Sequence, residues 1–456
     1  MQTEFSLAQL VDPDVAESEK ILRACVHCGF CTATCPTYVL LGDELDSPRG
    51  RIYLVKNMLE QGGRPPPETV KHIDRCLSCL SCMTTCPSGV HYMHLVDHGR
   101  RHIERHYRRS LRERIMRRVL ARVLTSPGRL RAALHMARLG KPFTGAAPKV
   151  LRPLLALAPR RVPAASPIHW VETFPAEGEK RMRVALLPGC AQQVLAPEIN
   201  LATIRLLTRH GCEVVVAPGS GCCGALTHHL GEEAAALAPA RANIDAWEKA
   251  AGESGFDAVV ANASGCGTML KDYGFLLRTD PKYADKAARF AALARDVSEV
   301  VAVLGLRAPT GEAPALRVAY HSACSLQHGQ KVDREPRALL AAAGFSVVDI
   351  PEGHLCCGSA GTYNILQPGL AVALRDRKLA NIALARPDVV AAGNIGCITQ
   401  LRGDDMPLPV VHTVELLDWA TGGPPPPCVA GRAGADPQPG PDEPARPATP
   451  SKIPAQ

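Results

Sequence analysis

Eight cysteines near the amino terminus form two runs with the same spacing, and this pattern constrains the fold more than any other feature of the chain. Each run reads C-x2-C-x2-C-x3-C-P. The members are Cys25, Cys28, Cys31, Cys35 and Pro36 in the first run, and Cys76, Cys79, Cys82, Cys86 and Pro87 in the second. No amino-terminal export signal is visible, so we expect a reducing compartment in which these thiols bind metal rather than form a disulfide scaffold.

The spacing is that of bacterial ferredoxins with two iron-sulfur clusters. Three closely spaced thiolates bind one cube, and the fourth, which precedes a proline, reaches the other cube. We therefore expect two interlocked 4Fe-4S clusters. The expected ligands are Cys25, Cys28, Cys31 and Cys86 for the first cluster, and Cys76, Cys79, Cys82 and Cys35 for the second. Zinc is the alternative, but zinc sites use four ligands, commonly in two pairs, and not eight in two matched runs.

The positive charge is concentrated in one segment. Between Arg100 and Arg131 twelve arginines face two glutamates, and apolar residues recur every four positions from Ile103 to Val123. This periodicity predicts a helix with one apolar stripe and a basic opposite face. The basic face is a solvated surface of a packed helix, or it docks on an acidic partner or anionic lipid. Nucleic acid is not an expected partner, because no aromatic residues are interleaved and no binding motif occurs.

The chain has 456 residues, of which 46% are apolar, and this suffices for several globular cores. No apolar run reaches the length of about 18 residues that a spanning helix needs. The sequence therefore predicts a cytoplasmic protein whose contact with the cytoplasmic face of the inner membrane is peripheral.

An internal repeat occupies the second half of the chain. Cys190 and Cys324 are 134 residues apart, and the same interval separates two Cys-Cys-Gly triplets, whereas two Gly-Cys pairs are 131 apart. The triplets are Cys222-Cys223-Gly224 and Cys356-Cys357-Gly358, and the pairs are Gly265-Cys266 and Gly396-Cys397. Within each repeat, strands alternate with helices, which predicts a parallel sheet with the cysteines just beyond the carboxyl ends of its strands.

These patterns predict an α+β multidomain fold, in which a helical ferredoxin-like domain with two 4Fe-4S clusters precedes two repeated α/β cysteine-rich domains with parallel sheets. The expected boundaries are 15–99 for the ferredoxin-like domain, 100–180 for the basic helical segment and Pro-rich connector, 181–305 and 315–421 for the repeats, and 422–456 for a disordered Pro/Gly/Ala tail. We assign no role to Cys428, which lies in that tail.

The repeated cysteines are candidate cofactor ligands, and additional iron-sulfur sites in the repeats are possible. They are Cys190, Cys222, Cys223 and Cys266 in the first repeat, and Cys324, Cys356, Cys357 and Cys397 in the second. Adjacent cysteines can bridge metal or form a redox pair, and the alternative is burial as small apolar residues. A G-x-G-x-x-G match at 219–224 has no counterpart in the second repeat, so we expect no flavin or nicotinamide site in this chain.

Three stretches resemble the iron-sulfur subunit of bacterial glycolate dehydrogenase, also called glycolate oxidase. They are LRACVHCGFCTATCPTY from Leu22, LGDELDSPRGRIYL from Leu41 and HLCCGSAGTYN from His354. The resemblance implies FAD-binding partner subunits that oxidise glycolate to glyoxylate, and often D-lactate to pyruvate. It also implies that this subunit passes the electrons toward a membrane quinone pool or another acceptor. The chain itself then has no catalytic residues and is complete as an enzyme only within the complex.

The repeats also resemble the cysteine-rich domains of heterodisulfide reductase and of anaerobic glycerol-3-phosphate and lactate-utilisation subunits. The fuller pattern there is C…CC…CxxC, but Ala263 and Asn394 replace the first cysteine of the last pair here. A five-cysteine cluster is therefore not carried over to this chain. Two alternatives stay open: electron transfer for a lactate or glycerol-3-phosphate dehydrogenase, and a thiol-disulfide reductase that works at the cysteine doublets.

Overall fold

A computed structural model describes residues 1–140, 161–165, 172–310, 316–402 and 408–430. Its amino-terminal part is helical. The helices are α1 (Leu7–Leu10), α2 (Pro13–Ala24), α3 (Pro36–Leu41), α4 (Pro48–Gln61), α5 (Pro67–Asp74), α6 (Ser81–Thr85) and α7 (Tyr92–His106), with a 3-10 turn at Glu44–Asp46. Cys25 ends α2, and Cys35 precedes α3, whose first residue is Pro36. Proline fits a first helical turn because its missing N–H would have no partner there.

The basic segment forms two further helices, α8 (Leu111–Val123) and α9 (Pro127–Gly140). The expectation of one continuous apolar stripe is wrong, because α7 ends at His106 and α8 begins a new direction at Leu111. Leu111, Ile115 and Val119 are exposed. The stripe therefore lies on the surface of α8.

Buried arginines explain the orientation of α8. Arg109 and Arg117 are buried, and both pair with Asp74 at the end of α5, at 2.6 Å and 3.1 Å. A buried guanidinium requires such a partner, since removing an unpaired charge from water is costly. The ion pairs fix which face of α8 turns inward, and the apolar residues are left outside.

The first repeat builds a five-stranded sheet with the order β1-β3-β2-β4-β5. Its strands are β1 (Thr173–Phe174), β2 (Met182–Leu186), β3 (Cys212–Val215), β4 (Ala258–Ala261) and β5 (Ala294–Asp296). Its helices are Gln192–Leu195, Glu198–Arg209, Ala225–His229, Glu233–Ala251, Ser264–Lys271, Tyr273–Leu276, Ala284–Leu293 and Val297–Leu304. All pairings are parallel except that of β1 with β3.

The second repeat builds a four-stranded parallel sheet with the order β7-β6-β8-β9. Its strands are β6 (Arg317–His321), β7 (Ser346–Val348), β8 (Val389–Ala392) and β9 (Val410–His412). Its helices are a π-helical turn at Ser325–Gln330, and Arg334–Ala342, Tyr363–Leu366, Pro368–Leu384, Ile395–Leu401 and Thr413–Ala420. The predicted fold class is confirmed, although the sequence did not predict β1, β5 and β9.

The two repeats share one apolar core. Buried residues of both sheets, such as Leu186 and Val390, belong to a single cluster. Polar contacts cross the same boundary, since His412 Nε2 lies 2.7 Å from the carbonyl oxygen of Asn262, and Arg205 pairs with the buried Asp418. The carboxyl ends of the two sheets are therefore held in a fixed relation.

Two predicted segments fall largely outside the described residues: most of the connector from Lys141 to Pro175, and the tail from residue 431 onward. Before that point the chain is still packed, because Val429 is 1% exposed and belongs to the core shared by the repeats. Within the described ranges, no helix is both long and apolar enough to cross a lipid bilayer.

Candidate metal-binding sites

The first predicted ligand set surrounds one pocket. Cys25, Cys28, Cys31 and Cys86 all line a space of about 430 Å³ that is partly open to solvent. The first run wraps it through a loop in which His27 and Gly29 have positive φ angles of 60° and 88°. The last cysteine of the second run thus reaches the first run, which is the donor set that a cube bound by both runs needs.

The second predicted ligand set is buried. Cys35, Cys76, Cys79 and Cys82 are each less than 10% exposed. They are close enough to affect one another: burial raises the pKa of Cys82 well above its usual value, and the neighbouring sulfurs of Cys79, Cys76 and Cys35 raise it further. The structure therefore brings together four thiols in the interior, whereas the first set lies at the surface.

The separation of the sulfur atoms fits a cube better than a single ion. Tetrahedral zinc with a zinc-sulfur distance of about 2.3 Å places its sulfur ligands ~3.8 Å apart. No three of the eight cysteines, all of which lie in the described residues 1–140, have sulfur atoms within 4.8 Å of one another. A cluster with one iron at each of four corners spreads its thiolates more widely than this.

A buried arginine adjoins the second set. Arg51 is 1% exposed, and its Nη1 lies 3.7 Å from the sulfur of Cys35. Its Nε donates a hydrogen bond to the carbonyl oxygen of His72 at 2.7 Å, and its Nη2 pairs with Asp46 at 3.1 Å. Arg75 also binds Asp46, at 2.8 Å. A fixed positive charge beside a ligand sulfur stabilises the more negative, reduced state of a cluster.

A tyrosine hydroxyl also reaches this set. Tyr92, the first residue of α7, donates to the sulfur of Cys76 at 3.6 Å. The ring is buried, and burial raises the pKa of Tyr92 well above its usual value. The hydroxyl therefore stays protonated and remains a hydrogen-bond donor. Neither Arg51 nor Tyr92 was predicted, because their partners lie on other helices.

The first repeat brings its four predicted cysteines together in a row. Cys222 contacts both Cys190 and Cys223, and Cys223 contacts Cys266. Gly224 directly follows the doublet with φ of 89°, and a Cβ atom there would lie 2.6 Å from the carbonyl oxygen of Ala236. Only glycine allows this backbone to turn so close to the next helix.

The second repeat reproduces this arrangement. The sulfur atoms of Cys324 and Cys356 are 3.8 Å apart, Cys356 contacts Cys357, and Cys357 contacts Cys397. Gly358 has φ of 87°, and a Cβ atom there would lie 2.6 Å from the carbonyl oxygen of Ala371. The glycine of each triplet thus has the same structural reason in both repeats.

One histidine at the second row was not predicted. His321 ends β6, is 2% exposed, and has its ligand atom within 4.8 Å of the sulfurs of Cys357 and Cys397. Burial lowers its pKa to about 3, so the ring is neutral. Comparison of the repeats offers a sequence signal for it, since Leu187 is the residue 134 positions earlier.

The second cluster set lies against the second repeat. Cys79 and Cys356 belong to one small apolar cluster together with Leu77 and Tyr363, and Cys324 packs against it. The first repeat contacts the ferredoxin-like domain elsewhere, through ion pairs of Asp97 on α7.

Those ion pairs join α7 to the segment after the first doublet. Asp97 Oδ2 lies 3.2 Å from His228 Nε2, and its other oxygen lies 3.3 Å from both His229 and Arg100. Burial would raise the pKa of Asp97, but the two histidines hold it well below its usual value. Both repeats are therefore anchored to the helical domain.

Two family models match the two parts of the chain. The 4Fe-4S dicluster domain matches residues 24–90, and the cysteine-rich domain named CCG matches residues 184–271 and 318–402. Fold, cysteine sets and matches together define an iron-sulfur electron-transfer protein. The predicted 4Fe-4S cofactor is thereby confirmed, while the assignment of each ligand stays a prediction.

Whole-chain similarity is more specific. The chain is 44% identical to the Glycolate oxidase iron-sulfur subunit of Escherichia coli (strain K12), over 92% of this chain and 99% of that protein. It is 32% identical to the Probable glycolate oxidase iron-sulfur subunit of Bacillus subtilis (strain 168), over 88% and 94%. The chain belongs to the family of glycolate oxidase iron-sulfur subunits, as the resemblance implied, and acts in an oxidoreductase complex with a partner subunit.

More distant relatives share part of the chain. Lactate utilization protein A of Bacillus licheniformis is 28% identical over 52% of this chain and 99% of that protein. A solved structure of a hypothetical protein from Helicobacter pylori covers 91% of this chain and 73% of that one, with a TM-score of 0.45 and 12% identity. That likeness is too distant to support any conclusion.

Proposed function

We propose that this chain carries electrons from an FAD-binding partner subunit that oxidises glycolate to glyoxylate, and delivers them toward a membrane quinone. The observation that carries the proposal is the order of the thiol sets. One set opens to the surface at Cys28, the next is buried, and Cys79 of the buried set lies against Cys324 and Cys356 of the second repeat. Such a series leads inward from a surface that a donor can reach.

The surface around the first set suits a protein donor. Val26 and Phe30, both in the first cysteine run, are 68% and 64% exposed, and Tyr53 beside them is 50% exposed. Exposed aromatic and apolar side chains next to an exposed cysteine are typical of a docking surface. We infer that the flavoprotein docks here and that electrons enter through the first cluster.

A flavin is needed because oxidation of a hydroxy acid removes two electrons, whereas each iron-sulfur cluster accepts one at a time. Glycolate is the proposed substrate because both long relatives are named for it. D-lactate is the second substrate to test, since Lactate utilization protein A matches half of the chain.

The test uses the reconstituted complex of this chain and its FAD-binding partner. The chain alone should not reduce a dye with glycolate, and the complex should. Replacing Cys356 and Cys357 together by alanine should abolish quinone reduction while glycolate still bleaches the two cubes.

Cys212 provides the matched control for this double variant. It is a buried cysteine in β3, outside every predicted set, so Cys212→Ala should retain quinone reduction. Full quinone reduction by the Cys356→Ala/Cys357→Ala variant would remove the second repeat from the electron path. Glycolate turnover by the chain alone, free of flavin, would contradict the whole proposal.

Thiol-disulfide chemistry at the first repeat is the second candidate. Hydrogen bonds from Cys190 and Cys223 lower the pKa of Cys222 to about 3, so Cys222 is a thiolate at neutral pH. Thiolates attack disulfides. Reduction of a mixed disulfide by the dithionite-reduced chain, lost in Cys222→Ser, would favour this candidate over electron relay at the first repeat.

We further propose that α8 makes the peripheral membrane contact. Its exposed face combines Leu111, Ile115 and Val119 with neighbouring arginines, as in helices that lie on anionic lipid. Ile115→Ser should weaken co-sedimentation with vesicles of phosphatidylserine and phosphatidylcholine about tenfold, since burial of such a side chain contributes about 1.5–3 kcal/mol. Val303→Ser, which alters another exposed apolar residue, should not. Equal effects of both changes would refute the assignment to α8.

A further inference from the structure

We propose that His321 is a metal ligand, and that its imidazole joins the thiolates of the second repeat in a mixed nitrogen-sulfur site. The inference rests on the proposal that the second repeat holds a metal centre, and it adds the donor that makes this centre different from that of the first repeat. The group it would take is a transition-metal ion that accepts thiolate and imidazole together, iron or zinc.

The histidine is buried without any hydrogen bond. His321 is 2% exposed, and neither Nδ1 nor Nε2 has a hydrogen-bond partner among the described residues. Leaving a buried polar group unpaired costs about 1–3 kcal/mol. A ring with two unpaired nitrogens in a core is therefore explained when one of them binds a ligand that protein atoms alone do not supply.

The geometry points to a metal. The ligand atoms of His321, Cys357 and Cys397 all lie within 4.8 Å of one another. A tetrahedral ion with metal-sulfur and metal-nitrogen distances of about 2.3 and 2.0 Å needs donors roughly 3.5–3.8 Å apart. These three atoms can thus close on one ion with small side-chain rotations. Cys356, which contacts Cys357, is the next thiol in reach for a fourth ligand.

The surrounding charge suits such a site. Three thiolates and a neutral imidazole around a divalent ion leave one net negative charge. Lys378 is 2% exposed, its Nζ donates to the carbonyl oxygen of Glu352 at 2.8 Å, and the doublet cysteines are its close electrostatic neighbours. A buried ammonium beside a buried anionic site offsets a charge that neither group could keep alone.

The first repeat lacks this donor. Leu187 stands at the position of His321, 134 residues earlier, although the four cysteines are placed alike. Among the described residues, only the second repeat brings three donors mutually within 4.8 Å. The two repeats are therefore unequal, and the unequal one lies beside Cys79 of the second cluster set.

The experiment compares the full chain with His321→Leu, which introduces the residue of the first repeat. Both are reconstituted anaerobically with iron and sulfide in the presence of zinc, and their metals are counted. The unaltered chain, labelled with ¹⁵N-histidine, should show nitrogen coupling to the paramagnetic centre by pulsed EPR if the metal is iron. It should show a nitrogen-sulfur shell by zinc X-ray absorption if the metal is zinc. His321→Leu should lose that signal and one metal equivalent, while the two cubes remain.

Two further variants keep the outcome interpretable. His321→Cys should retain the metal but lose the nitrogen signal. His328→Gln is the matched control, because His328 lies nearby but both of its nitrogens have partners, Thr84 at 2.8 Å and the carbonyl oxygen of His354 at 3.2 Å. It should keep both the metal and the signal. Without metal, His321→Leu should be at least as stable as the unaltered chain, since it removes two unpaired nitrogens.

Each outcome decides a different point. Iron with nitrogen coupling supports the inference and leaves the electron path through the second repeat in place. Zinc with a nitrogen ligand supports the inference but overturns that part of the proposed path, because zinc is not redox-active. Unchanged metal content and unchanged spectra in His321→Leu would overturn the inference and leave the proposed path untouched.

Discussion

Replacing Tyr92 by phenylalanine should lower the reduction potential of the second cluster and spare the first. The change removes one hydroxyl, which donates to the sulfur of Cys76 at 3.6 Å, and keeps the buried ring. A hydrogen bond to a charged acceptor contributes about 1.5–3 kcal/mol. If the added electron strengthens it by roughly a third, the reduced state loses about 0.5–1 kcal/mol, or about 20–45 mV for one electron.

The assay is an EPR-monitored redox titration of the reconstituted chain, in which the two clusters are followed separately. Tyr107→Phe is the matched control, because Tyr107 lies at the other end of α7, near Arg64, away from the cysteines. It should leave both potentials unchanged. An unchanged second potential in Tyr92→Phe, or an equal shift in the control, would refute the assigned hydrogen bond or the assignment of Cys76 to that cluster.

Three further predictions concern the supporting framework. Gly358→Ala should destabilise the chain by about 2–4 kcal/mol, because it combines a positive φ with overpacking, whereas Gly369→Ala, with open space around it, should be nearly neutral in thermal unfolding. Asp74→Ala should cost about 3 kcal/mol in urea unfolding by leaving buried arginines unpaired, and a loss below about 1 kcal/mol would contradict this. The depressed pKa of Asp97 stabilises the fold above the ordinary pKa of an aspartate, and this contribution is lost as pH falls toward the lower folded value. Asp97→Asn should therefore be less stable at pH 7 and lose less stability on acidification, and equal slopes for both proteins would exclude this origin.

The sequence predicted well what it encodes by spacing. The runs around Cys25 and Cys76 specify interlocked cubes because their chemistry requires fixed intervals along the chain. The repeated triplets predicted two parallel sheets because the same local pattern recurs at a constant distance. β4 begins and ends where it was predicted, at Ala258–Ala261, since a short apolar run between turn residues leaves little choice.

The sequence predicted poorly what depends on distant partners. The outward apolar face of α8 follows from Asp74, which belongs to another helix and draws Arg109 and Arg117 inward. Periodicity ranks arginine as exposed and isoleucine as buried, and it cannot register such an ion pair. His321 was missed for a related reason, because one histidine in an apolar strand is ordinarily a packed side chain, and only the fold shows its unpaired nitrogens beside two sulfurs.

The packing of Cys79 against the second repeat has a consequence for the order in which the protein is made. The thiols of Cys35, Cys76 and Cys79 have almost no exposed surface once that repeat is docked. A cube is far too large to reach them through a closed interior. The helical domain emerges first from the ribosome, and its inner cluster must be installed while the second repeat is absent or undocked. Biogenesis of this subunit is therefore sequential, and a chain that folds before it receives iron traps an empty inner site.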